Sequence, residues 1–99
     1  MSLSLSLLYP LEYPDSEYVV DRSTLIQTCS DPQILECMTY DGILLYIRFA
    51  GNSLTVREKK TNKCIAAGDP FLHKGKTSIP IDEVEFFIEM YSKHNISFR

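Results

Sequence analysis

Residues 34–49 read ILECMTYDGILLYIRF, two apolar runs on either side of Asp41-Gly42. Asp-Gly between such runs is a strong hairpin signal, because both central residues of a type I′ turn need positive φ. A two-residue turn then sets the register. Tyr40 would oppose Ile43, Met38 would oppose Leu45, and Glu36 would oppose Ile47. Ile43, Leu45, Ile47 and Phe49 would share one apolar face with Met38 and Tyr40. Leu35, Cys37, Leu44, Tyr46 and Arg48 would point the other way. That second face is too apolar for plain solvent, so Leu35, Leu44 and Tyr46 are expected to pack under a helix, a loop or another chain.

Toward the C-terminus, Gly51-Asn52 offers a second two-residue turn. It places Phe49 opposite Leu54 and Ile47 opposite Val56, apolar against apolar. Residues 57–63 are basic and strand-like with a turn at Thr61-Asn62, and Cys64–Ala67 returns as a further arm. Residues 34–67 thus form a four-stranded meander, with Ile43, Leu45, Ile47, Leu54 and Val56 in the core.

A loop follows at Gly68-Asp69-Pro70 and His73-Lys74-Gly75-Lys76. Beyond it lies the clearest helix. Asp82 is the expected N-cap, with Glu85 three residues on and Ile81 and Phe86 as a hydrophobic staple. Val84, Phe87, Ile88 and Tyr91 fall on one stripe at 3.6-residue spacing. Lys93 and His94 suit its C-terminal end, Asn95 suits the position after it, and Ile96–Phe98 could form a last short strand.

Toward the N-terminus, Asp21–Ser30 suits either a short helix capped by Asp21 or Ser23 or a strand, and the cap signal tips the reading toward helix. Serine and leucine alternate over Ser2–Leu8, which predicts a half-buried strand rather than a signal peptide, since no basic segment or cleavage site accompanies it. The expected architecture is one α+β domain over residues 1–99. It is an antiparallel meander of about five strands with one C-terminal amphipathic helix packed on the sheet.

The chain has 99 residues, 44% hydrophobic and 23% charged, the balance of an ordinary globular domain. Its net charge of −3 argues against a dedicated nucleic-acid binder. No apolar run is long enough to span a bilayer. Three cysteines, Cys29, Cys37 and Cys64, make a poor disulfide framework and point to a reducing, cytoplasmic setting. Asn95-Ile96-Ser97 fits a glycosylation sequon with nothing else suggesting secretion.

No local pair of cysteines or histidines has zinc-ligand spacing, so the cysteines read as small buried hydrophobes. Cys64 with His73 or His94 could assemble a thiol site only through the fold. Gly75-Lys76-Thr77 lacks the first glycine of a phosphate-binding loop and reads as turn chemistry. Glu85 and Glu89 read as a solvated stripe. No catalytic, cofactor or metal residue is therefore expected.

The function expected is a small non-enzymatic protein-interaction module: an inhibitor, adaptor or regulatory subunit, acting on another protein or by self-association. Its candidate contact residues are Phe86, Met90, Leu35, Leu44 and Tyr46. Phe86 and Met90 lie about 160° and 120° from Val84 on the helix, off the core stripe and adjacent to each other. A nucleic-acid-binding protein stands second, with Arg57, Lys59, Lys60 and Lys63 as anion-binding candidates and Arg48 on the neighbouring strand. Edge lysines also guard strands against pairing, which is the plainer account of that cluster. A small enzyme or ligand-binding domain with a site assembled from distant residues stands third.

Overall fold

The computed structural model describes residues 17–70, 75–92 and 94–99, with the Glu17 side chain outside the description. The strand expected over Ser2–Leu8, together with His73, Lys74 and Lys93, lies outside those residues.

Among them the chain forms β1 (Glu17–Ser30), β2 (Gln33–Thr39), β3 (Leu44–Ala50), β4 (Ser53–Glu58), β5 (Cys64–Gly68), α1 (Ile81–Tyr91) and β6 (Asn95–Phe98). They build one curled six-stranded sheet of order β5-β4-β3-β2-β1-β6. Every pair is antiparallel except β1–β6, where Glu17–Val20 runs parallel to Asn95–Phe98. The α+β architecture and the meander are as expected, with six strands rather than five and a short helix.

The Gly51-Asn52 turn has φ of 58° and 64°, the signature of a primed hairpin turn. Phe49 pairs with Leu54 and Ile47 with Val56, as read from the sequence. The Asp41-Gly42 hairpin is one residue out. Thr39 N–H donates to Ile43 O and Gly42 N–H to Thr39 O, at 2.9 and 3.0 Å. The loop is therefore Tyr40-Asp41-Gly42, with Gly42 at φ 93°. A tight turn followed by a left-handed glycine uses the same Asp-Gly dipeptide at the second and third loop positions. Cys37 pairs with Leu45, Leu35 with Ile47 and Glu36 with Tyr46.

A one-residue slip exchanges the two faces of a strand. Leu35 and Cys37 face the core, while Met38 and Tyr40 are exposed. The physical reason is Glu36. The expected register would bury its carboxylate among Ile47 and its neighbours at a large desolvation cost. The observed one leaves it outside, accepting from Lys59 Nζ at 3.1 Å.

Asp21–Ser30 is part of β1, not a helix. The side chains that suggested a cap serve a different break. Between Asp21 and Ile26 the β1–β2 register shifts. There Thr24 Oγ1 donates to Asp21 O at 2.7 Å and accepts from Met38 N–H at 2.8 Å. Ser23 N–H and Oγ both donate to Asp21 Oδ1. Polar side chains here replace ladder bonds, and the strand bends.

The bend contributes to the curl. Tyr18 on β1 donates to Glu58 on β4, although three strand spacings would separate them by about 14 Å in a flat sheet. The end of α1 meets one sheet edge, where Ser92 bridges Ala66 of β5. Three residues later the chain enters β6 at the opposite edge. The helix lies inside the curl. Val84, Phe87 and Ile88 are buried with Val20, Leu35, Leu45, Ile47, Phe49 and Val56, and Tyr91 packs against them. The Tyr91 ring sits directly over Gly68, where a Cβ would fall 2.5 Å from the ring.

The helix starts two residues earlier than expected. Pro80 is the N-cap and no side chain caps it, so Asp82 lies in the first turn. The staple positions pass to Ile79 and Val84, both buried. Asn95 opens β6 instead of closing the helix. Glu85 and Glu89 are engaged. Glu85 pairs with Arg22 at 3.1 Å, and Glu89 accepts from the Phe98 N–H at 3.1 Å. Of the cysteines only Cys37 is buried, so Cys29 and Cys64 depart from expectation.

The loop before the helix is pinned by Gln33, which is fully buried. Its Oε1 accepts from Ile79 N–H at 2.7 Å and its Nε2 donates to Ile79 O at 2.9 Å. The side-chain amide acts as one more strand residue and satisfies a peptide that the fold has buried.

Candidate functional site: the outer face of the sheet

With α1 inside the curl, the alternate residues of each strand form an outer face. No other described element packs on it, since the helix lies against β5 and β6 from within. The corrected register decides its contents. Cys29 opposes Ile34 and Ile26 opposes Glu36 between β1 and β2. Met38 opposes Leu44 between β2 and β3. Ile26 is 61% exposed, Leu44 42% and Met38 37%, with Ile34 half-buried. These four make an apolar strip across three strands that is interrupted by Glu36, which stands between Ile34 and Met38 on β2 and opposite Ile26.

Charge lies both within the strip and beside it, with Arg48 opposite Ile34. Arg57 opposes Tyr46 and Arg48 opposes Thr55 between β3 and β4. Lys59 Nζ reaches both Glu36 oxygens, at 3.1 and 3.2 Å. Tyr46, Arg48, Ala50, Ser53, Thr55 and Arg57 line a shallow depression of about 140 Å³.

The expected contact residues thus separate. Leu44 and Tyr46 are on this face. Leu35 is not: it is 0% exposed and belongs to the core. Ile34, its neighbour, takes the outward position, and Ile26 and Met38 join it. Phe86 and Met90, 58% and 60% exposed, lie on α1, which packs on the opposite side of the sheet. The expected anion-binding set also divides. Arg57 faces outward beside Arg48, Lys59 is held by Glu36, and Lys60 and Lys63 are exposed around the β4–β5 turn. The missed members carried one signal in the sequence: any register with Glu36 inside the core is wrong, and correcting it moves Met38 and Ile34 outward.

A second polar cluster closes one end of the curl. Tyr18 donates to Glu58, whose other oxygen accepts from Thr61 Oγ1 at 3.0 Å. The His94 ring meets the Tyr18 ring edge-on, centroids 5.9 Å apart. Burial and the adjoining carboxylate push the Tyr18 hydroxyl up to about 12. The Tyr18 hydrogen bond, with help from Thr61 and the Lys63 and His94 charges, lowers the Glu58 carboxyl. This cluster ties β1 to β4. Beside it, Gly42, Ile43, Leu44, Glu58, Lys60 and Thr61 line a cleft of about 220 Å³.

Cys64 is exposed on β5, and Cys37 is buried, with its thiol pushed up to about 12 by that burial. Among the described residues, no three His, Cys, Asp or Glu side chains gather as a metal group, and no helix is long and apolar enough to cross a membrane. No protein family, curated protein or solved structure matches the chain.

Proposed function

We propose that this chain is a protein-interaction module, a regulatory or adaptor unit that acts by binding. The observation that carries the proposal is the strip of Ile26, Ile34, Met38 and Leu44 on the uncovered face of the sheet. Large apolar side chains gathered on three adjacent strands are costly in water and suit the centre of an interface. Arg48 and Arg57 border the strip, so the partner that fits is a protein surface with an apolar centre and an acidic rim. Self-association is the competing occupant. Phe86 and Met90 are a separate, smaller patch.

The test compares two double variants. A partner captured from the native source is purified and titrated against each. Met38→Ser with Leu44→Ser should abolish binding and leave the cooperative melt in place. Phe86→Glu with Met90→Glu should leave binding unchanged. Loss of binding only in the helix variant would move the contact surface to α1. A concentration-dependent dimer dissolved by the strand variant would make a second copy the occupant.

A further inference from the structure

The geometry points to a phosphate-monoester site on the outer face, held by Arg48 and Arg57. Arg48 opposes Thr55 and Arg57 lies two residues further along the same strand, so the two are diagonal neighbours across β3–β4. Diagonal Cα atoms on one sheet face are about 7–8 Å apart, within the span over which two guanidinium groups can meet on one anion. Among the described residues neither arginine has an ion-pair partner, whereas nearby Lys59 on the same face is neutralised by Glu36. Two like charges on neighbouring strands repel, and the carboxylate diagonal to Arg48 across β2–β3, Glu36, is engaged by Lys59. The depression of about 140 Å³ that they flank also presents the hydroxyl-bearing residues Ser53 and Thr55, with Tyr46 opposite Arg57.

The donor set selects the anion. A carboxylate has two oxygens, and one arginine fork already engages both. Two forks with adjacent hydroxyls exceed that and suit the three terminal oxygens of a monoester. The charge also balances, +2 against about −1.5 to −2 near neutral pH. A phosphodiester, with one charge and two free oxygens, matches less well. The site does not use the apolar side chains of the strip or Lys60 and Lys63 at the turn, but it shares Arg48 and Arg57 with the proposed partner contact, so phosphate and an acidic partner rim would compete for them.

The experiment is a titration of the isotope-labelled full chain, followed by amide and arginine side-chain resonances at constant ionic strength. The probes are inorganic phosphate, phosphoserine, adenosine monophosphate and a short oligothymidylate without a terminal phosphate. The expected result is saturable shifts confined to residues 46–57 with the first three probes, stronger above pH ~6 than below it as the second proton leaves. Tighter binding of the nucleotide would identify an aromatic base beside Tyr46 as part of the ligand, and equal binding would identify the phosphate alone. Arg48→Gln and Arg57→Gln should each weaken binding by about tenfold or more, the loss of hydrogen bonds to a charged group. Arg48→Lys should fall between, because the ammonium keeps the charge and loses the fork. Without phosphate present, the melting temperatures of the variants should stay close to that of the parent. Shifts that stay linear, or that persist in the double glutamine variant, overturn the site. So does preferential binding of the oligothymidylate dependent on Lys60 and Lys63, which would make the surface a nucleic-acid tract.

Discussion

On β3, Leu45, Ile47 and Phe49 are buried, while Leu44 and Arg48 stand in solvent and Tyr46 is half exposed. The same six residues therefore serve two environments. Inward, the strand meets α1 and the other strands in a closed apolar core. Outward, it contributes to an apolar strip and to a pair of unpartnered arginines. The inner face can be accounted for by folding alone. The outer face is where the proposed contacts lie, since exposing Leu44, Met38 and Ile26 gains nothing for the monomer. On the proposed function, stability and binding are separated by the two-residue period of a strand.

Breaking the inner face should produce the largest effect. Ile47 is wholly buried. Ile47→Ala should cost about 2–5 kcal/mol, read as a lower urea midpoint at unchanged slope. Leu44→Ala, three residues away on the outer face, should stay within about 0.5 kcal/mol of the parent. Equal losses at the two positions would erase the distinction between faces.

A smaller effect is expected at Gln33. Removing its amide strands both the N–H and the C=O of buried Ile79. Gln33→Ala should cost about 1–3 kcal/mol, the penalty for unsatisfied buried groups. Amide exchange should report it locally, with Ile79 losing protection before β3 does. Uniform loss over the sheet would show that the loop has no opening motion of its own.

Where the pattern was legible, a single turn chemistry matched a single loop length. Gly51-Asn52 left Phe49, Leu54, Ile47 and Val56 one consistent pairing, so the β3–β4 register and the Arg48–Arg57 diagonal could be read from it. Asp41-Gly42 is compatible with both a two- and a three-residue loop. The choice fell to the cost of burying Glu36, and choosing the shorter loop hid Met38 and Ile34 from the candidate site while placing Leu35 in it. Asp21, Ser23 and Thr24 favour helix caps and strand irregularities by the same side-chain-to-backbone bonds. Local sequence could not separate these, because the deciding partner, the Met38 N–H, is fourteen residues from Thr24. The parallel β1–β6 pair and the curl are equally non-local.

The Tyr18–Glu58 tie joins the inner face at β1 to the rim at β4, and it should make stability fall at both ends of the pH scale. Tyr18 is raised above its unfolded value near 10 to about 12. Its contribution is complete below pH ~10 and is lost as pH rises through the folded value. Glu58 is lowered. Its contribution is present above the ordinary carboxylate range near pH ~4.3 and is lost as pH falls through the folded value. Tyr18→Phe keeps the ring against His94 and removes the hydrogen bond. Chemical denaturation across pH should then show a flatter alkaline limb and a flatter acid limb than the parent. An unchanged alkaline limb would mean that Tyr18 ionises as freely in the folded chain as in the unfolded one.

The cysteines compare the two faces with the least disturbance. Cys37 points inward and is almost wholly buried, and burial, reinforced by the Glu85 and Glu36 charges, pushes its thiol up to about 12. Both factors suppress the thiolate that an alkylating reagent needs. Cys29 and Cys64 are exposed, Cys29 opposite outward-facing Ile34 and Cys64 opposite Arg57. Iodoacetamide should therefore add to Cys29 and Cys64 in the native chain and to Cys37 only after denaturant is added. Cys29→Ser and Cys64→Ser should each shift stability by less than about 0.5 kcal/mol, the usual range for exposed positions. Cys37→Ser places a hydroxyl in the apolar core and should cost more than either. If Cys37 is instead modified at the rate of the other two under native conditions, the β2 register has Cys37 on the outer face. Leu35 would then return to the candidate contact surface and Ile34 would leave it.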